Sequence, residues 1–201
     1  MDDTGAGRRE LWLVRHGETP ASKGRRLAGW EDVPLTPFGE EQARALRPVL
    51  AGTAFDGVWC SDLQRTQATA RLAWAGEAKR DTRLREMGFG ALEGRLWDTL
   101  ETRWQEAMVR FVDFAPPDGE TFEAVRGRVL DFVEGLAPGR HLVFTHGGVV
   151  RMLSRELGED HFVTTGSLLV VDWEGRRIVF RRDGEGEPSQ GLPAAAATRE
   201  G

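Results

Sequence analysis

The most constraining feature of this chain is a pattern that occurs twice: an apolar run that ends in His-Gly. Leu11-Trp12-Leu13-Val14 leads into Arg15-His16-Gly17-Glu18-Thr19, and residues 141–145 lead into His146-Gly147-Gly148-Val149-Val150-Arg151. Short apolar runs rich in β-branched and aromatic residues read as buried strands. Ligands of open α/β sheets bind outside the carboxyl ends of the strands. Two strands with the same ending therefore place both imidazoles at one edge of one sheet. An Arg beside the first His supplies a planar, permanently charged fork that matches phosphate oxygens. Taken alone, the same letters also describe a strand-end His bonded to a backbone carbonyl beside a solvated Arg.

The remaining chain alternates strand and helix. Thr36-Pro37 caps a helix with Glu40 and Glu41 in its first turn, expected to run to about Leu50. Gly57–Cys60 reads as a second strand, and Ser61-Asp62 as the cap of the helix after it. Residues 82–84 are expected to form a short strand. Residues 121–136 give the clearest helix, with Phe122, Val125, Val129, Phe132, Val133 and Leu136 on one face and Pro138-Gly139 beyond its end. A helix over 149–157 follows, then strands over 168–173 and 178–182 around the turn Glu174-Gly175. This order predicts an α/β three-layer sandwich: a mostly parallel central sheet, helices on both faces and an antiparallel edge hairpin. Residues 1–182 are expected to form one domain, and the Gly-, Glu-, Pro- and Ala-rich residues 183–201 a disordered tail.

Composition excludes several classes. No apolar run approaches the roughly 18 residues of a membrane span, and the polar first ten residues hold no signal-peptide core. The chain is expected to be cytoplasmic. Its net charge of −5 argues against nucleic-acid or anionic-membrane partners. The single cysteine, Cys60, permits neither an internal disulfide nor a multi-cysteine metal site. His16 and His146 have no His partner at ligand spacing, so no metal is expected, and His141 and His161 read as structural or solvated.

Two further segments carry candidate chemistry. Arg65, in Ser61-Asp62-Leu63-Gln64-Arg65, falls in the first turn of a helix that leaves the same sheet edge. Glu86, in Arg85-Glu86-Met87-Gly88-Phe89-Gly90, is a carboxyl able to act as general acid if the fold brings it to that edge. Local sequence alone favours a solvated Arg and leaves a surface Glu equally open. The helix start at Gly148-Val149 reads as a phosphate cradle of backbone N–H groups.

Six separated motifs, in order, resemble the histidine phosphatase superfamily, the phosphoglycerate-mutase-like fold. They are residues 13–19; 29–36 with Gly39; 61–65 with Thr69-Ala70; 84–86 with Gly90 and Glu93-Gly94; 119–121; and 145–148. The resemblance spans about residues 10–173 and implies roles residue by residue. His16 attacks phosphorus and becomes a phosphohistidine. Arg15, Arg65 and His146 hold the equatorial oxygens. Glu86 protonates the leaving alcohol and then activates water. Ala28, Gly29 and Gly147 approach substrate through backbone. No cofactor is implied. Many relatives carry Asn where Pro20-Ala21-Ser22 stands, leaving the shorter Ser22 as the substrate contact.

The resemblance leaves the substrate open. A mutase needs additional cations after the Glu86 loop, and residues 95–117 lack a long basic insertion, which favours hydrolysis of a small phosphorylated metabolite. Residues 89–94 and 116–121 look most like α-ribazole-phosphate phosphatases, which act in assembly of the cobalamin nucleotide loop. Mutase-type phosphoryl transfer and broad sugar-phosphate hydrolysis are the alternatives. Trp side chains left exposed by the fold would point to a homodimer surface.

Overall fold

The computed structural model describes residues 7–184. The elements run β1 (Arg9–Arg15), α1 (Pro20–Lys23), α2 (Pro37–Arg44), α3 (Arg47–Leu50), β2 (Gly57–Cys60), α4 (Gln64–Ala73), β3 (Lys79–Arg80), α5 (Thr102–Arg110), α6 (Phe122–Glu134), β4 (Gly139–Thr145), α7 (Gly147–Glu156), β5 (Leu168–Asp172) and β6 (Arg177–Arg182). The strands form one sheet in the order β3-β2-β4-β1-β5-β6. The first four are mutually parallel, and β5 and β6 close one side as the expected antiparallel hairpin.

Side chains alternate along the strands, and each face buries its own cluster. Leu11, Leu13, Val143, Leu169 and Val171 pack under α6 and α7. Val14, Leu142, Phe144, Leu168 and Val170 pack against Leu46, Leu50, Ala70 and Ala73 of the α2–α4 layer. Helices on both faces complete the three-layer sandwich. Among the described residues, no helix is long and apolar enough to cross a membrane.

Local chemistry explains where expectation and structure part. The helix begun at Thr36, whose hydroxyl accepts from the Gly39 N–H, breaks after Arg44 and resumes as α3. Pro48 has no N–H to offer the Arg44 carbonyl, so a continuous helix would lose that bond. Residues 82–84 are a 3₁₀ turn, not a strand, because the Asp81 carboxylate accepts from the Arg83 N–H and caps it; the strand is the preceding Lys79–Arg80. Ser61 and Asp62 do not cap α4, whose N-cap is Leu63 with no side-chain bond. The last helix begins at Gly147, two residues earlier than expected. All but the first two residues of the expected tail lie outside the described residues.

The topology fixes the site. The chain leaves β1, crosses to β2 and returns so that β4 lies between them. That reversal opens a crevice at the carboxyl ends of β1 and β4. Arg15 pairs in register with Thr145, so His16 and His146 emerge side by side, and the His16 N–H donates to the Thr145 carbonyl at 3.1 Å.

Candidate active site

The five candidate catalytic residues converge at this edge. Arg15, His16, Arg65 and Glu86 line one cavity with Gly147 and Gly148. His146 is fully buried beside it, its ring centroid 5.2 Å from that of His16.

Hydrogen bonds assign the tautomers. His16 Nδ1 lies 2.8 Å from the Gly17 carbonyl, which can only accept. Nδ1 therefore carries the proton, and the lone pair sits on Nε2. Burial holds the His16 pKa well below the ordinary imidazole value, and the nearby Arg65 and Arg15 charges push the same way. The imidazole is neutral at physiological pH, which a nucleophile requires. His146 Nδ1 accepts from Arg65 Nε at 3.3 Å, so its proton is on Nε2, 3.0 Å from Ser61 Oγ. Its pKa is likewise depressed, by burial first and then by Arg65.

Arg65 is buried, and burial holds its pKa below the ordinary value. Nη1 donates to the Glu31 carbonyl, and Nη2 to those of Ala28 and Gly29, at 2.7–3.1 Å. The carbonyls of Ala28 and Gly29 thus hold Arg65, and Ala28 also lines the cavity. Arg15 donates through Nη1 to the Val163 carbonyl at 2.6 Å. Burial, together with Arg65 and against the attraction of Glu86, pushes its pKa down to about 10, so it remains a cation. Gly147 packs against the Arg15 guanidinium, where a Cβ would stand 3.2 Å from Cζ.

Glu86 occupies the start of α7. Its Oε2 accepts from the Gly148 N–H and its Oε1 from the Met87 N–H, both at 3.0 Å. The N–H of Gly148 therefore faces the Glu86 carboxyl group of the protein itself. The Glu86 carbonyl is fixed by Trp30 Nε1 at 2.9 Å and Arg128 Nη2 at 3.0 Å. Ser22 lines the cavity, but its hydroxyl accepts from the Thr19 N–H and donates to the Thr19 carbonyl as half of a capping box.

Sequence reasoning missed the supporting residues. The Glu93 carboxylate accepts the N–H groups of Gly29, Trp30 and Phe89, folding the loop whose carbonyls hold Arg65. Ser61 orients His146. Thr69 Oγ1 accepts from the Gly17 N–H and donates to the Arg65 carbonyl, tying the first motif to α4. Each lies inside a motif already singled out, but nothing in the letters distinguishes a residue that supports the site from one that touches substrate.

The sequence profile of the histidine phosphatase superfamily (branch 1) matches residues 11–184. This chain belongs to the histidine phosphatase superfamily. Among this phosphatase's relatives, Escherichia coli (strain K12) adenosylcobalamin/alpha-ribazole phosphatase is 36% identical over 165 residues, 73% of this chain and 78% of the relative. Serratia proteamaculans (strain 568) GpmB, named a probable phosphoglycerate mutase, is 38% identical over 149 residues, 69% of each chain. The crystal structure of TTHB049 from Thermus thermophilus superposes with a TM-score of 0.81 at 48% identity, covering 87% of this chain and 99% of that one.

The cavity of this histidine phosphatase has a mixed lining. Charged and polar groups (Arg15, His16, Arg65 and Glu86) line it together with the apolar side chains of Leu27, Phe89, Trp97, Met108, Phe111 and Phe162. Three more arginines line it, and each is paired: Arg25 with Asp98 at 2.9 Å, Arg26 with Glu31 at 3.2 Å, and Arg151 with Asp160 at 2.6 Å.

Proposed function

We propose that this histidine phosphatase hydrolyses a small phosphomonoester whose alcohol carries a neutral aromatic group, with α-ribazole 5′-phosphate as the physiological substrate. One observation carries the reading. The charge of every cavity arginine beyond Arg15 and Arg65 is offset by a carboxylate, and aromatic and aliphatic side chains make up much of the remaining lining. A glycerate carboxylate or a second phosphoryl group, which mutase chemistry must hold, would meet no surplus positive charge there. A flat uncharged ring would be desolvated favourably. The likeness to an α-ribazole phosphatase supports the same substrate.

In the mechanism proposed, Arg15 and Arg65 bracket the phosphoryl dianion, and their charge is worth most as negative charge spreads over the equatorial oxygens. His16 Nε2 attacks phosphorus in line. The P–O bond to the alcohol breaks as the Glu86 carboxyl delivers its proton to the leaving oxygen. Glu86, now a carboxylate, takes a proton from water as that water attacks the phosphohistidine. The P–N bond breaks, inorganic phosphate departs, and His16 is again neutral. His146 joins when a proton on Nδ1 turns that nitrogen from acceptor to donor; the Ser61 hydroxyl, able to donate or accept, satisfies Nε2 in either state.

The test is phosphate release by purified protein in EDTA, over α-ribazole 5′-phosphate, 3-phosphoglycerate and an aryl phosphate. We expect a kcat/KM above roughly 10⁴ M⁻¹s⁻¹ for the first, with weak turnover of 3-phosphoglycerate. Preference for 3-phosphoglycerate would overturn the reading.

A further inference from the structure

We propose that Arg151 determines leaving-group selectivity at this site, by holding the aromatic wall of the cavity against the helix that begins beside His146. The inference rests on the phosphatase reading above and adds a residue that no motif of the family assigned.

Arg151 lies one turn along α7 from Gly147 and is 3% exposed. A buried guanidinium must be both paired and hydrogen-bonded. Nε and Nη2 form a fork onto the two Asp160 oxygens at 2.6 and 2.9 Å. Nη1 donates to the Met108 carbonyl at 3.0 Å and Nη2 to the Val109 carbonyl at 2.6 Å, which anchors the end of α5. The Arg151 Cζ lies over two rings, 4.7 Å from the Phe111 centroid and 3.8 Å from that of Phe162. Met108, Phe111 and Phe162 all line the cavity. Phe111 has a φ of 53°, a left-handed conformation that bulky side chains rarely adopt, so something must hold it. The Phe111 N–H donates to the Ala107 carbonyl, Arg155 donates to the Arg110 and Phe111 carbonyls, and the ring is held by Arg151 and by an edge-to-face contact with Phe122 at 5.1 Å.

Arg151 does not act as an anion ligand. Its charge is offset by Asp160, and four of its five N–H donors are committed to that carboxylate and to the α5 carbonyls. It acts through the three apolar side chains it fixes, and so is a positioning residue. The planar fork is essential: lysine could pair with Asp160 but could neither stack over two rings nor reach two carbonyls as well.

The experiment compares parent, Arg151→Met and Arg151→Lys on 1-naphthyl phosphate and on ethyl phosphate, with orthovanadate as inhibitor. Losing a shaped apolar contact is worth about 10-fold or more in selectivity, so the naphthyl-to-ethyl ratio of kcat/KM should fall by at least that much in both variants. The loss should sit in KM with kcat little changed, because the wall binds ground state and transition state alike. The inhibition constant of vanadate, which occupies only the phosphoryl site, should hold. An unchanged ratio, or equal weakening of both esters and of vanadate, overturns the proposal. Retention of the ratio in Arg151→Lys overturns the role of the planar fork. A turnover-free arm separates the two levels: benzimidazole, titrated by fluorescence of Trp97 in the cavity wall, should bind the parent about 10-fold more tightly than either variant. If no ester is hydrolysed, the phosphatase reading fails, and the benzimidazole titration still decides the role of Arg151.

Discussion

Gly148→Ala should disable the general acid while leaving the rest of the site in place. An ideal Cβ at Gly148 would stand 2.3 Å from Glu86 Oε1, 3.2 Å from Cδ and 3.4 Å from Oε2. Carbon and oxygen reach ordinary contact near 3.4 Å, so the carboxyl group must retreat by about 1 Å or swing away, and a misplacement of that size can cost about 100-fold in rate. The backbone has no reason to move instead, because Gly148 lies inside α7 and alanine is the better helix former by about 1 kcal/mol. Stability should hold or rise as activity falls. The assay is kcat/KM for two esters that differ in how much their alcohols need a proton. Ethyl phosphate, with a poor leaving group, should lose about 100-fold, equivalent to about 2.7 kcal/mol of barrier. p-Nitrophenyl phosphate, whose phenolate leaves unaided, should lose far less. Equal losses for the two esters would falsify the assignment of Glu86 as proton donor. No loss for either would show that the carboxyl does not need the position it holds against Gly148.

Other consequences concern charge and burial. His16→Ala should remove turnover and any acid-labile phosphoryl label; label that survives on the protein would move the nucleophile elsewhere. Because His16 and His146 have depressed pKa values in the folded state, the unfolded chain binds more protons below the unperturbed value of about 6.5. Stability should therefore be full above about pH 6.5 and fall as pH drops below it, by up to about 1.4 kcal/mol per pH unit for each imidazole; melting curves from pH 8 to 5 should show this, and a flat profile would contradict buried neutral imidazoles. Arg65→Lys should cut kcat/KM by about 10²–10³ and lower stability by about 1–3 kcal/mol, because the carbonyls of Ala28, Gly29 and Glu31 lose donors; wild-type kinetics in the variant would exclude Arg65 from the phosphoryl site. Glu93→Ala orphans three backbone N–H groups. It should weaken vanadate binding although Glu93 is not placed against the phosphoryl group, and unchanged vanadate affinity would refute that indirect role.

What the letters could reveal follows from the range of the forces involved. The two His-Gly strands, the α6 face and the edge hairpin are written in local periodicity, and the structure forms them where expected. The break at Pro48 was legible too, since the missing N–H is a property of one residue; the length of the hydrophobic pattern concealed it. The Asp81-capped turn lay hidden because a three-residue segment, Thr82-Arg83-Leu84, is too short for its pattern to separate strand from 3₁₀ turn. For the site, residue types pointed to five side chains but not to their partners. Ser22, read as a short substrate contact, is also half of a capping box; Ser61, read as a cap, instead faces His146. Such exchanges are tertiary, decided by bonds between residues 85 positions apart in the second case.

Four of the six separated motifs are joined by hydrogen bonds into a connected chain. Glu93 folds the loop at Gly29 and Trp30; the carbonyls of that loop hold Arg65; Arg65 donates to His146; and His146 is bonded in turn to Ser61 at the end of β2. A second chain runs from Trp30 and Arg128 to the Glu86 carbonyl, and from the Glu86 carboxylate to the start of α7 beside His146. A buried guanidinium without such acceptors would cost more to desolvate than a phosphoryl dianion, present only intermittently, could offset. The free protein must therefore satisfy Arg65 with its own carbonyls. That requirement explains why a loop 36 positions earlier in sequence and a carboxylate 28 positions later both belong to the site. It also leaves Arg65 already oriented when substrate arrives, so its ordering cost is met in folding rather than in binding.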